Sequence, residues 1–227
     1  MNKIILITGA NRGLGKALVD VALKDEHTFI VSLSRSLHQE HEGISDAKLL
    51  FIETDLSEPF SNSFLEPIED RILTNTALYF FNNASIIMPI AKIGTFEDLD
   101  IANSIQVNVQ YPVSLINSLL HRFPMHQTVL VNISSGAANN PIPYWSLYGA
   151  AKAYMNQFYK VLAVENVENN FTFYTIDPGV LDTGMQESIR ENAFPKQDYF
   201  KALKEDNKLI QPKDAALKIF DTINYYE

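Results

Sequence analysis

The sequence has 227 residues, 46% hydrophobic and 20% charged, with a formal net charge of −9 and no cysteine. The acid excess argues against a nucleic-acid or anionic-membrane surface while leaving room for a local basic pocket, and the missing cysteines exclude disulfides, thiolate catalysis and Cys-ligated zinc, so no metal is expected. The length suffices for a sizeable core, no apolar run is long enough to cross a bilayer, and an apolar strand pattern begins at once with no leader pattern, so the cytoplasm is the expected compartment.

Lys3–Thr8 is a short apolar run before Gly9, the pattern of a strand buried on both faces. Arg12–Lys24 follows with helical spacing at Leu14, Leu18, Val21 and Ala22. Thr28–Leu33 and Leu49–Glu53 read as the second and third strands, on either side of a polar loop at 38–45. Phe60–Arg71 predicts a weaker helix and Ala77–Phe81 a fourth strand. Glu97–Phe123 carries a long helical pattern through Ile101, Ile105, Val109, Val113, Ile116 and Leu120. A fifth strand is predicted at Gln127–Ile133, and a second long helix at Trp145–Val167. That helix is apolar on more than one side, at Leu147, Met155, Phe158, Tyr159 and Leu162, which predicts a homodimer through the two long helices. The sixth strand, Phe171–Ile176, stops at Asp177-Pro178-Gly179, and helical pieces follow at Thr183–Glu191 and Pro212–Ile223. Strands alternating with helices predict one domain over residues 1–227, a three-layer, doubly wound α/β fold with a mostly parallel sheet and right-handed crossovers.

Thr8-Gly9-Ala10-Asn11-Arg12-Gly13-Leu14-Gly15 ends the first strand and opens the first helix, the context in which a glycine loop binds a dinucleotide. Gly9 allows the tight turn, Gly13 lets the backbone approach a pyrophosphate, Gly15 permits close helix–strand packing, and the helix start offers free N–H groups. Without a ligand the same residues would be a glycine turn. An NAD-binding fold usually carries an acid about 20 residues further on, for the ribose hydroxyls. Here that place reads Ser32-Leu33-Ser34-Arg35-Ser36. With no acid there, Arg35 and Arg12 are read as partners of a 2′-phosphate, so the expected cofactor is NADP(H). Asp55, beside Leu56 after the third strand, is suited either to the adenine amino group or to capping the helix that follows.

Tyr148 and Lys152 stand four apart on the second long helix and so share a face. With Ser135, in Asn132-Ile133-Ser134-Ser135, they make apparatus for moving a proton on or off oxygen. Pro112 has no N–H and crowds the carbonyl four residues back, which predicts a loosened helix at Asn108 and a free acceptor there. The glycine loop, Asn82-Asn83-Ala84, Asn108, Ser135, Tyr148-x-x-x-Lys152 and Pro178-Gly179 occur in this order. Together they resemble the short-chain dehydrogenase/reductase family, of Rossmann-type fold. Asn132–Ala138, Trp145–Tyr148 and Asp177–Gln186 resemble its sepiapterin reductase branch, which includes reductases of benzil-type diketones.

The resemblance implies a catalytic set of Asn108, Ser135, Tyr148 and Lys152. Asn108 would hold a water linking Lys152 to solvent, and Lys152 would also hold the nicotinamide ribose. Asn83, Ala84 and Ser85 would lie against the adenosine and ribose, and Pro178, Gly179, Val180 and Thr183 near the nicotinamide carboxamide. Chemically, hydride addition builds charge on a carbonyl oxygen. Tyr148 would protonate that oxygen, Ser135 would stabilise it, and Lys152 with the cationic nicotinamide would favour the phenolate. Ile86, Ile87, Ala137, Ala138, Trp145, Leu181, Met185 and Gln186 are expected to line a mainly apolar pocket under a lid at 182–206. No cation is placed to clamp an anion there, so a neutral ketone or diketone is expected. The same residues would serve an alcohol dehydrogenase working oxidatively, whereas a non-enzymatic NADP(H) sensor would show a broken Tyr/Lys/Ser set. Two departures from the family pattern stand out: Ser85 replaces the usual glycine, and no usual seventh strand follows.

Overall fold

The computed structural model describes residues 2–226. Six parallel strands form one sheet in the order β3-β2-β1-β4-β5-β6. They are β1 (Lys3–Thr8), β2 (Thr28–Ser34), β3 (Leu49–Glu53), β4 (Ala77–Asn82), β5 (Thr128–Ile133) and β6 (Phe171–Ile176). The order reverses between β1 and β4, and a crevice opens beyond the carboxyl ends of strands at such a point. β3 and β6 are the two edge strands, and no seventh strand joins β6 among the described residues.

Successive side chains of a strand point to opposite faces, which divides the core in two. Ile5 and Ile7 pack with α1 (Gly13–Ala22) and α8 (Pro212–Thr222) on one face. Ile4 and Leu6 pack on the other with α4 (Tyr111–Arg122) and α5 (Ser146–Glu165). Helices on both sides give the three layers. No described helix is long and apolar enough to cross a membrane.

The long helix expected over Glu97–Phe123 is broken where Pro112 demands it. α3 (Asp98–Ile105) passes into a π-helical turn, Gln106–Gln110, before α4 begins. A wider turn absorbs the residue that cannot donate, and such turns gather at functional sites. The helix expected over Phe60–Arg71 is mostly absent. Only α2 (Glu66–Glu69) is α-helical, behind a 3₁₀ turn at Ser63–Leu65, because Pro67 sits at its start and cannot sit deeper in a helix. Beyond β6 the chain forms α6 (Gly184–Glu191) and an unexpected α7 (Gln197–Glu205).

Candidate active site

A cleft of about 870 Å³ runs along the carboxyl ends of the strands. At one end lies the glycine loop. Gly9 and Gly13 take φ values of 65° and 54°, in the left-handed region that side chains resist. A Cβ on Gly15 would fall 2.0 Å from the Gly9 carbonyl oxygen and 2.7 Å from Asn83 Nδ2, and one on Gly13 would meet Thr183 Cγ2 at 3.2 Å. The loop is therefore a cradle that admits backbone only, and the free N–H groups of α1 face into it, which fits a dinucleotide pyrophosphate. Gly15→Ala is expected to destabilise the protein by about 3 kcal/mol through overpacking and to abolish nucleotide binding, read by thermal unfolding and nucleotide titration. An unchanged melting temperature would refute the packing role.

Asn11, Arg12, Leu14, Arg35, Asp55 and Leu56 also line this end. Arg12 and Arg35 are both exposed to the cleft, and Asn11 Nδ2 donates to Ser36 Oγ at 3.1 Å, holding the two loops together. Asp55 caps its own turn, accepting from Ser57 N at 2.9 Å and Ser57 Oγ at 2.7 Å. These bonds, with a smaller contribution from the Arg35 charge, hold its carboxyl below the usual value. Asp55 thus closes a local turn rather than capping the helix that follows, which begins only at Ser63, and it still lines the cleft.

Further along, Asn83 Nδ2 donates to the Thr8 carbonyl at 2.8 Å, pinning β4 to β1 beside Ala84 and Ser85. Ser85 has a use that glycine could not supply, since its Oγ donates to Asn108 Oδ1 at 2.8 Å. The same oxygen accepts from Ile86 N at 2.9 Å, and Asn108 Nδ2 donates to the Ile86 carbonyl at 2.9 Å. The Asn108 side chain is thus spent on clamping the loop after β4. Only its main-chain carbonyl, which Pro112 cannot serve, is left to a proton route.

Ser135, Tyr148 and Lys152 meet in the middle of the cleft. Ser135 caps a short 3₁₀ turn, its Oγ accepting from Ala137 N at 3.2 Å. Lys152 Nζ donates to the Ile133 carbonyl at 2.8 Å and lies 5.6 Å from the centre of the Tyr148 ring. A buried polar ladder sets this arrangement. Asn82 Nδ2 donates to Asn132 Oδ1, Asn132 Nδ2 to Asn156 Oδ1, both at 3.2 Å, and Ser134 Oγ to Asn156 Oδ1 at 2.6 Å. Asn156 is one turn beyond Lys152, so the ladder fixes the register of α5 against β4 and β5.

Electrostatics departs from expectation here. Burial pushes the Tyr148 phenol up, the Ser135 hydroxyl pulls it down more weakly, and the Asp177 carboxylate adds a further upward push. Burial also takes the Lys152 ammonium down to about 8, against an upward pull from Asp177. The protein's own groups therefore favour the neutral phenol, the form a proton donor requires.

At the far end the walls are apolar. Ile86, Ile87, Ala137, Trp145, Leu181, Met185 and Gln186 line the cleft, together with Pro178, Gly179, Val180 and Thr183. Ala138 does not; it lies on the other side of its turn, in a separate groove. The sequence reading also missed Ile189, Tyr199 and Phe200, which line the cleft from α6 and α7. The charged segment at 182–206 closes over the site through its few aromatic residues. Phe200 and Phe194 stack on Trp145 with ring centres 5.3 and 6.0 Å away, and Trp145 stands edge-on to Tyr148 at 5.7 Å. Trp145 is therefore both a packed core residue and a cleft wall. The neck is tied by Ile210 N to the Val180 carbonyl, Asp182 N to the Ile210 carbonyl, each 2.9 Å, and a Lys204–Asp182 ion pair at 2.7 Å.

Comparison with known proteins agrees with this architecture. The family model described as short chain dehydrogenase matches residues 3–193. A benzil reductase ((S)-benzoin forming) of Bacillus cereus is 31% identical over 233 residues, spanning 96% of this chain and 92% of that protein. A sepiapterin reductase of Xenopus tropicalis is 29% identical, spanning 97% and 90%. The crystal structure of the enzyme KRED1-Pglu superposes with a TM-score of 0.83 at 28% identity, spanning 95% and 92%. A family match over most of the chain, on a fold that carries the glycine cradle and the Tyr148–Lys152 pair into one cleft, has one conclusion: the chain belongs to the short chain dehydrogenase family, oxidoreductases acting on CH–OH and C=O groups.

Proposed function

We propose that the protein is an NADPH-dependent carbonyl reductase of neutral ketones or diketones, acting as one Rossmann-type unit over residues 1–227. The observation that carries this reading is the single cleft that joins the glycine cradle to Ser135, Tyr148 and Lys152 and continues into an apolar chamber. The relatives named benzil reductase point to the same substrate chemistry.

NADPH supplies the hydride when bound; the remaining work falls to the chain. Gly9, Asn11, Gly13, Leu14 and Gly15 cradle the pyrophosphate, Arg12 and Arg35 face the 2′-phosphate, and Asp55, Leu56, Asn83, Ala84 and Ser85 enclose the adenosine side. Lys152 holds the nicotinamide ribose, and Pro178, Gly179, Val180 and Thr183 bound the nicotinamide. Ser135 donates to the carbonyl oxygen and Tyr148 releases its proton to that oxygen as charge develops. A proton would return to Tyr148 from solvent through Lys152 and a water held by the main-chain carbonyl of Asn108. The apolar wall of Ala137, Trp145, Leu181 and Met185, with Phe200 stacked on Trp145, excludes water and favours a neutral substrate.

The homodimer rests on an unpartnered apolar surface on α3 and α5, where Leu99, Ile105, Tyr154, Val161 and Val164 are exposed. The cytoplasm is the compartment this reading assumes, where NADPH favours reduction over alcohol oxidation.

The experiment is a screen of the purified protein for NADPH oxidation against diketones, quinones, pterins and simple aldehydes, with NADH alongside. Tight NADPH binding with no turnover of any carbonyl would favour a sensor instead. Arg35→Asp is expected to shift the ratio of kcat/KM for NADPH over NADH toward NADH by about 100-fold, since it removes a charged hydrogen-bond donor and adds an acceptor for the ribose hydroxyls. An unchanged ratio would sink the assignment of Arg35.

A further inference from the structure

Building on the carbonyl-reductase reading, we infer that Gln186 selects 1,2-dicarbonyl substrates over simple ketones. Its Nε2 donates to the second carbonyl oxygen while Ser135 and Tyr148 hold the first. Gln186 lies on α6, is 3% exposed, and lines the same cleft as Ser135, Trp145 and Tyr148. An amide so deeply buried needs partners for both its ends. Arg190, one turn further along α6, donates from Nη1 to Gln186 Oε1 at 3.3 Å. A guanidinium has donors only, so it takes the amide oxygen and turns the NH₂ away from itself. The neighbouring residues of α6, Met185 and Ile189, pack into the apolar cluster that holds Trp145 and Tyr148, so this face of the helix looks into the chamber.

Among the neighbouring polar side chains, the Trp145 Nε1 is a buried donor without a partner, enclosed in the wall rather than open to the chamber, and Asn140, Asp177 and Lys196 are committed or unsuitable. Asn140 Nδ2 donates to the Gly136 carbonyl at 2.9 Å. Asp177 accepts from Gly179 N at 3.0 Å, and its carboxylate repels a carbonyl oxygen. Lys196 stands exposed at the rim. A simple ketone carries one oxygen, which Ser135 and Tyr148 already serve, so binding it desolvates the Gln186 NH₂ and offers nothing in return. A 1,2-diketone carries a second acceptor on the adjacent carbon and meets that donor. A site built to donate a hydrogen bond rejects an analogue lacking the acceptor, because the buried donor is left unpaired.

The test compares benzil with deoxybenzoin, which has the same skeleton with one carbonyl replaced by a methylene. For Gln186→Leu, kcat/KM for benzil is expected to fall about 10- to 100-fold, while that for deoxybenzoin is expected to rise by up to about 10-fold because no donor is left unpaired. Arg190→Met leaves the chamber intact but frees the amide to flip, and is expected to lose a smaller share of the same preference. Benzil binding can be read without turnover by quenching of Trp145, the one tryptophan of the sequence, and its Kd should rise with Gln186→Leu. Equal losses on both substrates, or no loss on benzil, would overturn the assignment. If Gln186→Leu does not fold, an unchanged benzil preference in Arg190→Met overturns it equally. A wild-type protein that reduces no carbonyl compound brings down the underlying reading as well; an active wild type with an unaltered preference in the variants brings down Gln186 alone.

Discussion

Tyr148→Phe is expected to lower kcat for carbonyl reduction by at least about 10³-fold while leaving NADPH affinity within a few-fold of wild type. The substitution removes one oxygen and keeps the ring. The ring is 7% exposed and stands edge-on to Trp145, contacts that phenylalanine reproduces. Lys152 keeps its bond to the Ile133 carbonyl, so the group proposed to hold the ribose stays where it is. What disappears is the proton donor. Ser135 is a poor substitute, because an aliphatic hydroxyl is far too weak an acid to protonate the developing oxyanion. Burial holds the wild-type phenol above its ordinary value, so the reducing enzyme keeps its donor form through neutral pH. Reduction should therefore be flat across neutrality and fall only in the alkaline range. NADPH binding, followed by its fluorescence, separates chemistry from architecture. If binding falls as far as turnover, Tyr148 is a structural residue and the proton-donor role is wrong.

Much of this site could be read from local pattern, and the parts that could not share a cause. β1, β3 and β6 begin and end where the apolar runs do, and β2 and β4 run one residue further than expected. Strands buried on both faces announce themselves by composition alone. The π turn at Gln106–Gln110 was equally visible, because the disturbance comes from one residue, Pro112, acting on its own helix. By contrast, α7 carries only Phe200 and Leu203 among its apolar packing residues, and charged side chains surround them. Its position is set by Phe200 stacking on Trp145, far away in sequence. The ladder from Asn82 through Asn132 and Asn156 was hidden for the same reason, as its members lie 50 and 24 residues apart. Ser85 looked like a departure until the Asn108 side chain was found to accept its proton. Burial raises the Tyr148 phenol in the protein itself, a contribution that sequence conceals while it displays neighbouring charges.

Lys152→Met should abolish turnover and at the same time raise the stability of the ligand-free protein. Lys152 is 6% exposed, and burial depresses its ammonium from the ordinary 10.5 to about 8. A base whose folded value lies below its unfolded value binds fewer protons when folded, so stability rises with pH between the two. Below pH 8 the buried charge carries its full penalty, about 3 kcal/mol for a shift of this size. Methionine has similar length and no charge and escapes that penalty. It forfeits the bond to the Ile133 carbonyl, at roughly 1 kcal/mol. The difference favours the variant by about 2 kcal/mol at neutral pH, or a rise in Tm of about 5 °C for a chain of this size. Wild-type stability should climb between pH 8 and 10, and the variant should lack that climb. Above pH 10 Tyr111, Tyr159 and Tyr225 act oppositely in both proteins, since burial raises their values and folding then opposes their ionisation. Thermal unfolding across pH distinguishes this from ordinary core damage: a variant less stable than wild type at pH 7, with the same slope between pH 8 and 10, would mean that Lys152 is not held as a strained cation. If the climb vanishes along with turnover, the fold is maintaining a charged group at its own expense, at the position proposed to hold the nicotinamide ribose and to serve the Tyr148 proton.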